Sequence, residues 1–237
     1  MKKIRSLSRL TALCVLFAAG CSKADAPPSA KKASADADAP AQTEKTPPAA
    51  PAAKAPVVAA KVGDAAPAFT LEDVNGKKVS LADFAGKHVV LEWFNPGCPF
   101  VVYAHESGPL KDMAASTVGE DTVWIAINSG APGKQGHGAP ANSEAMTKWS
   151  MGHPVLMDPS GEVGRQYGAT KTPQVFLIDT SGVLRYAGAL DNAPIGKVDG
   201  DDPYANHLAN AVAQLRAGKP VNPGELPPYG CSVKYAS

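Results

Sequence analysis

NPGCPFVVYAHE, residues 95–106, places a single cysteine where one pattern of residues gives way to another. The run before it, HVVLEWF (88–94), is apolar apart from its first residue and Glu92, and reads as a buried strand. Pro99 suits the first position of a helix. The residues after it carry a helical pattern that Gly108-Pro109 breaks before LKDMAAS (110–116). Cys98 therefore stands at a strand end and a helix N-terminus. Val101 occupies the third position on, so this is no Cys-x-x-Cys pair. A cysteine so placed faces unpaired backbone N–H groups and the positive end of the helix dipole. Both favour the thiolate, which is the nucleophilic form. The competing reading is an inert core cysteine, since free cysteine is often buried.

The elements around this junction alternate. FTLED and KKVSL flank Asn75-Gly76, a strong hairpin signal. TVWIAIN (122–128) is a second buried strand. A glycine-rich loop, SGAPGKQGHGAPA, leads to a helix over NSEAMTKWSM with Asn142 or Ser143 expected as its cap. PVLMD is a short strand, and EVGRQYG a short helix closed by Gly168. TPQVFLID and GVLRYAG form a hairpin around Thr180-Ser181-Gly182, and DPYANHLANAVAQLRAG (202–218) is a final amphipathic helix. The tail, VNPGELPPYGCSVKYAS, reads as irregular. Strands alternating with helices, then a hairpin and a helix, predict an α/β sandwich with a mixed central sheet and an N-terminal β-hairpin extension.

The chain has 237 residues and a net charge of +1, without the basic excess of a nucleic-acid binder. Residues 1–20 read as an export signal: MKKIRSLSR is basic, and LTALCVLFAAG is apolar but too short to span a bilayer. Small residues then precede Cys21, as at a bacterial lipoprotein cleavage site; the alternative is a plain secretory signal. Lipid on Cys21 would anchor the chain to a membrane, and Ser22 after it points to the outer membrane of a Gram-negative cell. Residues 21–60 are rich in Ala, Pro and Lys and too poor in apolar area to fold. They read as a tether with a reach of about 35 Å. The folded domain is expected over 61–237, facing the periplasm.

Two further residues bear on Cys98. Glu92 lies in an apolar strand, where a carboxylate must be paired or neutral, unless it faces outward from an edge. Near a thiol it is positioned to accept or deliver a proton. Pro173 opens a central strand, a place proline occupies only for a special reason; a cis bond there would expose a backbone edge to a partner's chain.

LEWFNPGCPFV, VWIAINS, YGATKTPQVFLID, GVLRYAGALD, LRAGKPV and PYGCSVKY together resemble the peroxiredoxin-like branch of the thioredoxin superfamily, the alkyl hydroperoxide reductase/thiol-specific antioxidant or redoxin domain. The resemblance runs from about Val62 to Tyr235. It implies a thioredoxin fold, Cys98 as attacking thiol, Pro173 as a cis proline and Glu92 as a buried acid. A typical peroxiredoxin has Thr or Ser where this chain has Asn95, and an arginine where it has Pro173. Asn95 is a candidate to replace one hydrogen bond; Lys171, Arg165 and His105 are candidates for the missing cation. The resemblance thus leaves peroxide and disulfide both open as substrates.

Of four cysteines, Cys14 lies in the signal and Cys21 at its end, which leaves Cys98 and Cys231. In an oxidising compartment two thiols allow one internal bridge. Cys231 is expected to resolve the sulfenic acid or mixed disulfide formed on Cys98. The alternatives are a permanent staple worth roughly 4–5 kcal/mol in the chain-entropy model, and two thiols that never meet and act alone. The protein so read is a thiol-dependent oxidoreductase with a hydroperoxide or protein-disulfide substrate, an external thiol reductant and no organic cofactor. A copper-binding protein using Cys98 with His137 or His207 is the rival from another class; a non-catalytic domain is a third. His137 and His105 otherwise read as solvated histidines, and Tyr229 and Tyr235 as anchors of the tail.

Overall fold

The computed structural model describes residues 59–237. The export signal, Cys21 and the tether up to residue 58 lie outside the described residues. In chain order the elements are β1 (Thr70–Asp73), β2 (Lys78–Ser80), β3 (His88–Trp93), α1 (Pro99–Glu106), α2 (Leu110–Thr117), β4 (Thr122–Asn128), α3 (Ala139–Lys148) and β5 (Val155–Met157). There follow α4 (Glu162–Tyr167), β6 (Lys171–Thr172), β7 (Gln174–Ile178), β8 (Leu184–Gly188), α5 (His207–Arg216) and β9 (Cys231–Ser232).

Seven of these strands form one sheet in the order β2-β1-β5-β4-β3-β7-β8. The centre is parallel, β3 with β4 and β4 with β5; the flanks are antiparallel. The N-terminal hairpin joins this sheet through β1 and β5. Its turn is tied by Asp73, whose Oδ1 accepts from the backbone N–H of Asn75 and Lys77 at 2.8 and 2.9 Å.

Alternate residues of β3 serve opposite faces. Val89, Leu91 and Trp93 join Ile125, Ile127 and Phe176 against Val163 and Tyr167 of α4. Val90 joins Trp124, Val175 and Leu177 against α1, α2 and α5. A strand covered on both sides reads as a continuous apolar run, which is why HVVLEWF and TVWIAIN stand out in the sequence. A third cluster sits at the sheet's end: Phe94, Cys98, Val101, Ala126, Ala145 and Val155, with Cys231 packed against it.

Three expectations are corrected. The helix expected to start at Asn142 or Ser143 starts at Ala139, with Gly138 before it. Asn142 is buried inside the helix and turned onto the glycine-rich loop. Its Nδ2 donates to the carbonyls of Gly136 (3.0 Å) and Gly138 (2.7 Å), and its Oδ1 accepts from Asn128 Nδ2 at 2.8 Å. The last helix starts later than expected: Asn206 caps α5, accepting from Ala209 N–H at 2.9 Å, and Pro203 lies before it. The tail is not wholly irregular, because β9 pairs antiparallel with β6.

Asn142→Ala removes the side-chain donor to Gly138 O, one of the two donors to Gly136 O and the acceptor for Asn128 Nδ2 at a buried site, and is expected to cost about 2–3 kcal/mol. Ser143→Ala, at a half-buried position with no buried amide to lose, is expected to stay within about 0.5 kcal/mol. Urea unfolding of both variants checks this, and equal losses would restore the cap at 142 or 143.

Candidate functional site

The site begins with the turn that delivers Cys98. Asn95 is buried, and its Oδ1 accepts from Gly97 N–H at 2.9 Å. Its backbone carbonyl accepts from Cys98 N–H at 3.0 Å. Its Nδ2 donates to Gln135 O at 3.3 Å, and Gln135 Nε2 donates back to Gly97 O at 2.8 Å. Asn95 is thus committed to the turn rather than to the sulfur. Gln135, which the sequence reading left inside a loop, is the clamp across it.

Cys98 is the N-cap of α1, with Pro99 as the first helical residue. Its side chain is fully buried, and Sγ donates to the Thr172 carbonyl at 3.0 Å. Thr172 precedes Pro173 through a cis peptide bond, as the resemblance implied. Thr172 also faces Cys231 across the β6–β9 ladder. One residue therefore holds both thiols together, and both are reduced.

The two sulfurs are unlike. Burial opposes ionisation of Cys98, yet the Cys231 thiol, the Thr172 side chain and the backbone N–H groups of Val101 and Cys231 hold its pKa below the ordinary value. The Val101 N–H belongs to the first turn of α1, as expected for a helix N-terminus. Cys231 is pushed up to about 11, by burial first and then by hydrogen bonding and charge from Cys98; Lys234 and Lys171 pull the other way.

The tail bearing Cys231 is pinned on both sides. Tyr229 donates its hydroxyl to Asp191 Oδ1, and its ring meets Phe100 of α1 at 6.0 Å. Tyr235 donates to Ala169 O at 2.7 Å and lies 4.5 Å beneath the Arg165 guanidinium. Arg165 also donates to Ser160 O at 2.9 Å, so it is occupied there. Lys171 stands opposite Ser232. The groups that lower the Cys98 pKa are neutral donors, not one of the three expected cations.

Glu92 is fully buried and paired. It accepts from Trp124 Nε1 at 3.1 Å and lies 2.9 Å from His105 Nε2. Burial raises its pKa, but the charge and hydrogen bond of His105, with His153 and Trp124, hold the carboxyl below its ordinary value. His105, expected at the surface, is 5% exposed and stacked on Trp149 at 4.8 Å. Val101, also buried, lies one turn back on the same helix face, a spacing the sequence already contained. Glu92 does not touch the thiols; it fixes the helix that carries Cys98, through a ring set against Phe94 at 5.7 Å. His137 spends Nδ1 on Gly130 O at 2.8 Å, and His207 begins α5. Among the described residues no group of three or more His, Cys, Asp or Glu is placed to hold a metal ion.

A mixed sheet with a nucleophile-type thiol at a helix N-terminus, beside a cis proline, defines a thioredoxin-fold protein. The family model described as Redoxin matches residues 61–201, and the chain belongs to that family. It is 26% identical over 129 residues to the thiol-disulfide oxidoreductase ResA of Bacillus thuringiensis, covering 52% of this chain and 66% of that protein, just under two thirds. It is 30% identical over 134 residues to alkyl hydroperoxide reductase E of Mycobacterium tuberculosis, covering 53% of this chain and 83% of that protein. Among solved structures, a hypothetical protein of Sinorhizobium meliloti superposes with a TM-score of 0.66 at 28% identity, over 76% of this chain and 97% of that one. A conserved protein of Geobacillus kaustophilus gives 0.65 at 25%, over 74% and 93%.

The buried polar group beside Glu92 gives a pH prediction. His153 is held neutral by burial, with its pKa lowered to about 4. Its folded value lies below its unfolded value of about 6.5, so its contribution to stability is complete above pH 6.5. It is lost as pH falls from there toward 4, by up to roughly 3 kcal/mol. His153→Phe is expected to flatten this window when unfolding is compared at pH 7 and pH 4.5. An unchanged slope would assign the acid loss elsewhere.

Proposed function

We propose that this protein is a thiol-dependent oxidoreductase in which Cys98 attacks and Cys231 resolves. The observation that carries this reading is the pairing of two free thiols with opposite pKa shifts at a helix N-terminus. The lowered thiol is the attacking group. The raised one stays protonated, and so does not compete, until Cys98 has reacted.

With a hydroperoxide, the Cys98 thiolate attacks the O–O bond, becomes a sulfenic acid and releases water or an alcohol. The Cys231 sulfur then attacks the Cys98 sulfur, its proton leaves with the hydroxyl as water, and a Cys98–Cys231 disulfide forms. With a disulfide, Cys98 forms a mixed disulfide and Cys231 displaces the reduced substrate. An external dithiol returns the pair to two thiols. The names of the relatives, one a thiol-disulfide oxidoreductase and one an alkyl hydroperoxide reductase, support both substrate classes. Asn95 shapes the turn, Pro173 follows the carbonyl that receives the Cys98 thiol, and Glu92 is a positioning residue. The basic and apolar N-terminal run and Cys21 support export and a lipid anchor, most simply on the inner leaflet of an outer membrane.

The test is one equivalent of hydrogen peroxide on the fully reduced protein, quenched by alkylation over time and mapped by mass spectrometry. A Cys98–Cys231 disulfide that forms rapidly and is readily reversed by dithiothreitol is expected. Cys231→Ser is expected to accumulate oxidised Cys98 instead. Absence of oxidation at Cys98 with peroxide and with a small disulfide overturns the reading.

A further inference from the structure

The tail that bears Cys231 leaves β8 at Leu226, whose N–H donates to Ala187 O at 3.1 Å. Pro227 and Pro228 follow and have no N–H to give. The pairing of β9 with β6 at Cys231 and Ser232 is only two residues long. Between these two attachments the stretch is fastened by the hydroxyl of Tyr229, which donates to Asp191 Oδ1.

Asp191 belongs to the body of the domain. It follows Leu190, which is fully buried with Leu208 of α5, and is itself 2% exposed. Ala193 N–H also donates to Oδ1, at 3.0 Å, and the Tyr204 hydroxyl reaches Oδ2 at 3.3 Å. Asn192 closes the loop beyond, with its N–H on Ala205 O at 3.1 Å and its Nδ2 on Pro203 O at 2.9 Å. Among the described residues no Lys, Arg or His forms an ion pair with Asp191. A buried carboxylate held by neutral donors depends on each of them. A hydrogen bond to an ionised acceptor is also roughly twice as strong as one between neutral groups. Its contact with the thiol site is Tyr229, just before Gly230-Cys231.

We infer that Asp191 is a positioning residue for the resolving thiol: its carboxylate holds the Tyr229 hydroxyl, and through that latch keeps the Cys231 sulfur beside Cys98 when the sulfenic acid forms. This rests on the two-thiol cycle proposed above and names what sets its second step. In that step the Cys231 sulfur attacks the Cys98 sulfur, the S–O bond breaks, and the hydroxyl leaves with the Cys231 proton as water. The competing reaction is a second peroxide on the same sulfenic acid, which gives a sulfinic acid and water. A held tail favours the first outcome and a loosened tail the second, so the latch sets the ratio between them.

A peroxide titration of the reduced full chain tests this, with mass spectrometry weighing Cys98–Cys231 disulfide against Cys98 sulfinic acid. The quantity read is the peroxide concentration at which the two products are equal. Tyr229→Phe keeps the ring against Phe100 and removes the hydroxyl. It is expected to lower that concentration about tenfold, equivalent to roughly 1.4 kcal/mol. Asp191→Asn is expected to lower it less, because a neutral amide oxygen still accepts the Tyr229 proton. The two changes together are expected to do no more than Tyr229→Phe alone, as for a single shared interaction. Tyr204→Phe removes the other hydroxyl from the same carboxylate, outside the tail, and is expected to leave the concentration unchanged. No fall in Tyr229→Phe or in Asp191→Asn, an equal fall in Tyr204→Phe, or additive falls in the double variant overturns the role of Asp191 and leaves the cycle standing. Wild-type protein in which peroxide never oxidises Cys98 overturns this role together with the peroxide cycle.

Discussion

The hydrogen bond from Cys98 Sγ to the Thr172 carbonyl is the contact on which the site is built. It joins the start of α1 to a two-residue strand that is not part of the main sheet. The same strand carries the tail, so Cys231 reaches Cys98 by way of Thr172. Neither cysteine could reach the other within its own element, because 132 residues separate 98 from 231 in the sequence. The central sheet provides the rigid floor that makes such a long-range meeting reproducible. Phe94 leads out of β3 and Val101 lies one turn into α1, and both are fully or almost fully buried beside the sulfur.

A buried thiol would ordinarily resist ionisation. Here burial is outweighed by short-range donors: the N–H of Val101, the N–H of Cys231 and the Cys231 thiol. These are dipoles rather than full charges, and so they do not add a second desolvated ion to the core. The one strongly acidic group nearby, Glu92, is kept apart by its own pair with His105 and Trp124. A buried carboxylate without those partners would cost several kcal/mol. The pairing confines that charge behind Phe94, and the groups that act on Cys98 are neutral donors.

The sequence was most legible where both faces of a strand are covered. Val89 to Trp93 and Val123 to Ile127 could not have been exposed without a cost that nothing else in the chain offsets, so their pattern and their fold agree. The helix start at Pro99 and the left-handed close at Gly168 were legible because proline and glycine have narrow local meanings. Less legible was anything settled by long-range partners. Asn142 looks like a cap by composition, but the loop carbonyls of Gly136 and Gly138 compete for its amide. His105 looks like a surface residue until Glu92 is placed beside it. β9 has two residues and no periodicity to detect; only the β6 edge makes it a strand.

The unlike sulfurs also give the proposed cycle a direction at its last step. In a Cys98–Cys231 disulfide, an attacking thiolate can approach either sulfur and expel the other. Access selects between them: Cys98 is fully buried, whereas Cys231 is partly exposed in the tail. In the proposed cycle an external reductant therefore attacks Cys231 and releases Cys98 as the thiolate, the form that begins the next turnover. The tail there serves twice, first bringing the resolving sulfur to Cys98 and afterwards presenting that sulfur to the reductant. The proposed two-thiol cycle thus needs no second cysteine in α1, where Val101 holds the third position after Cys98.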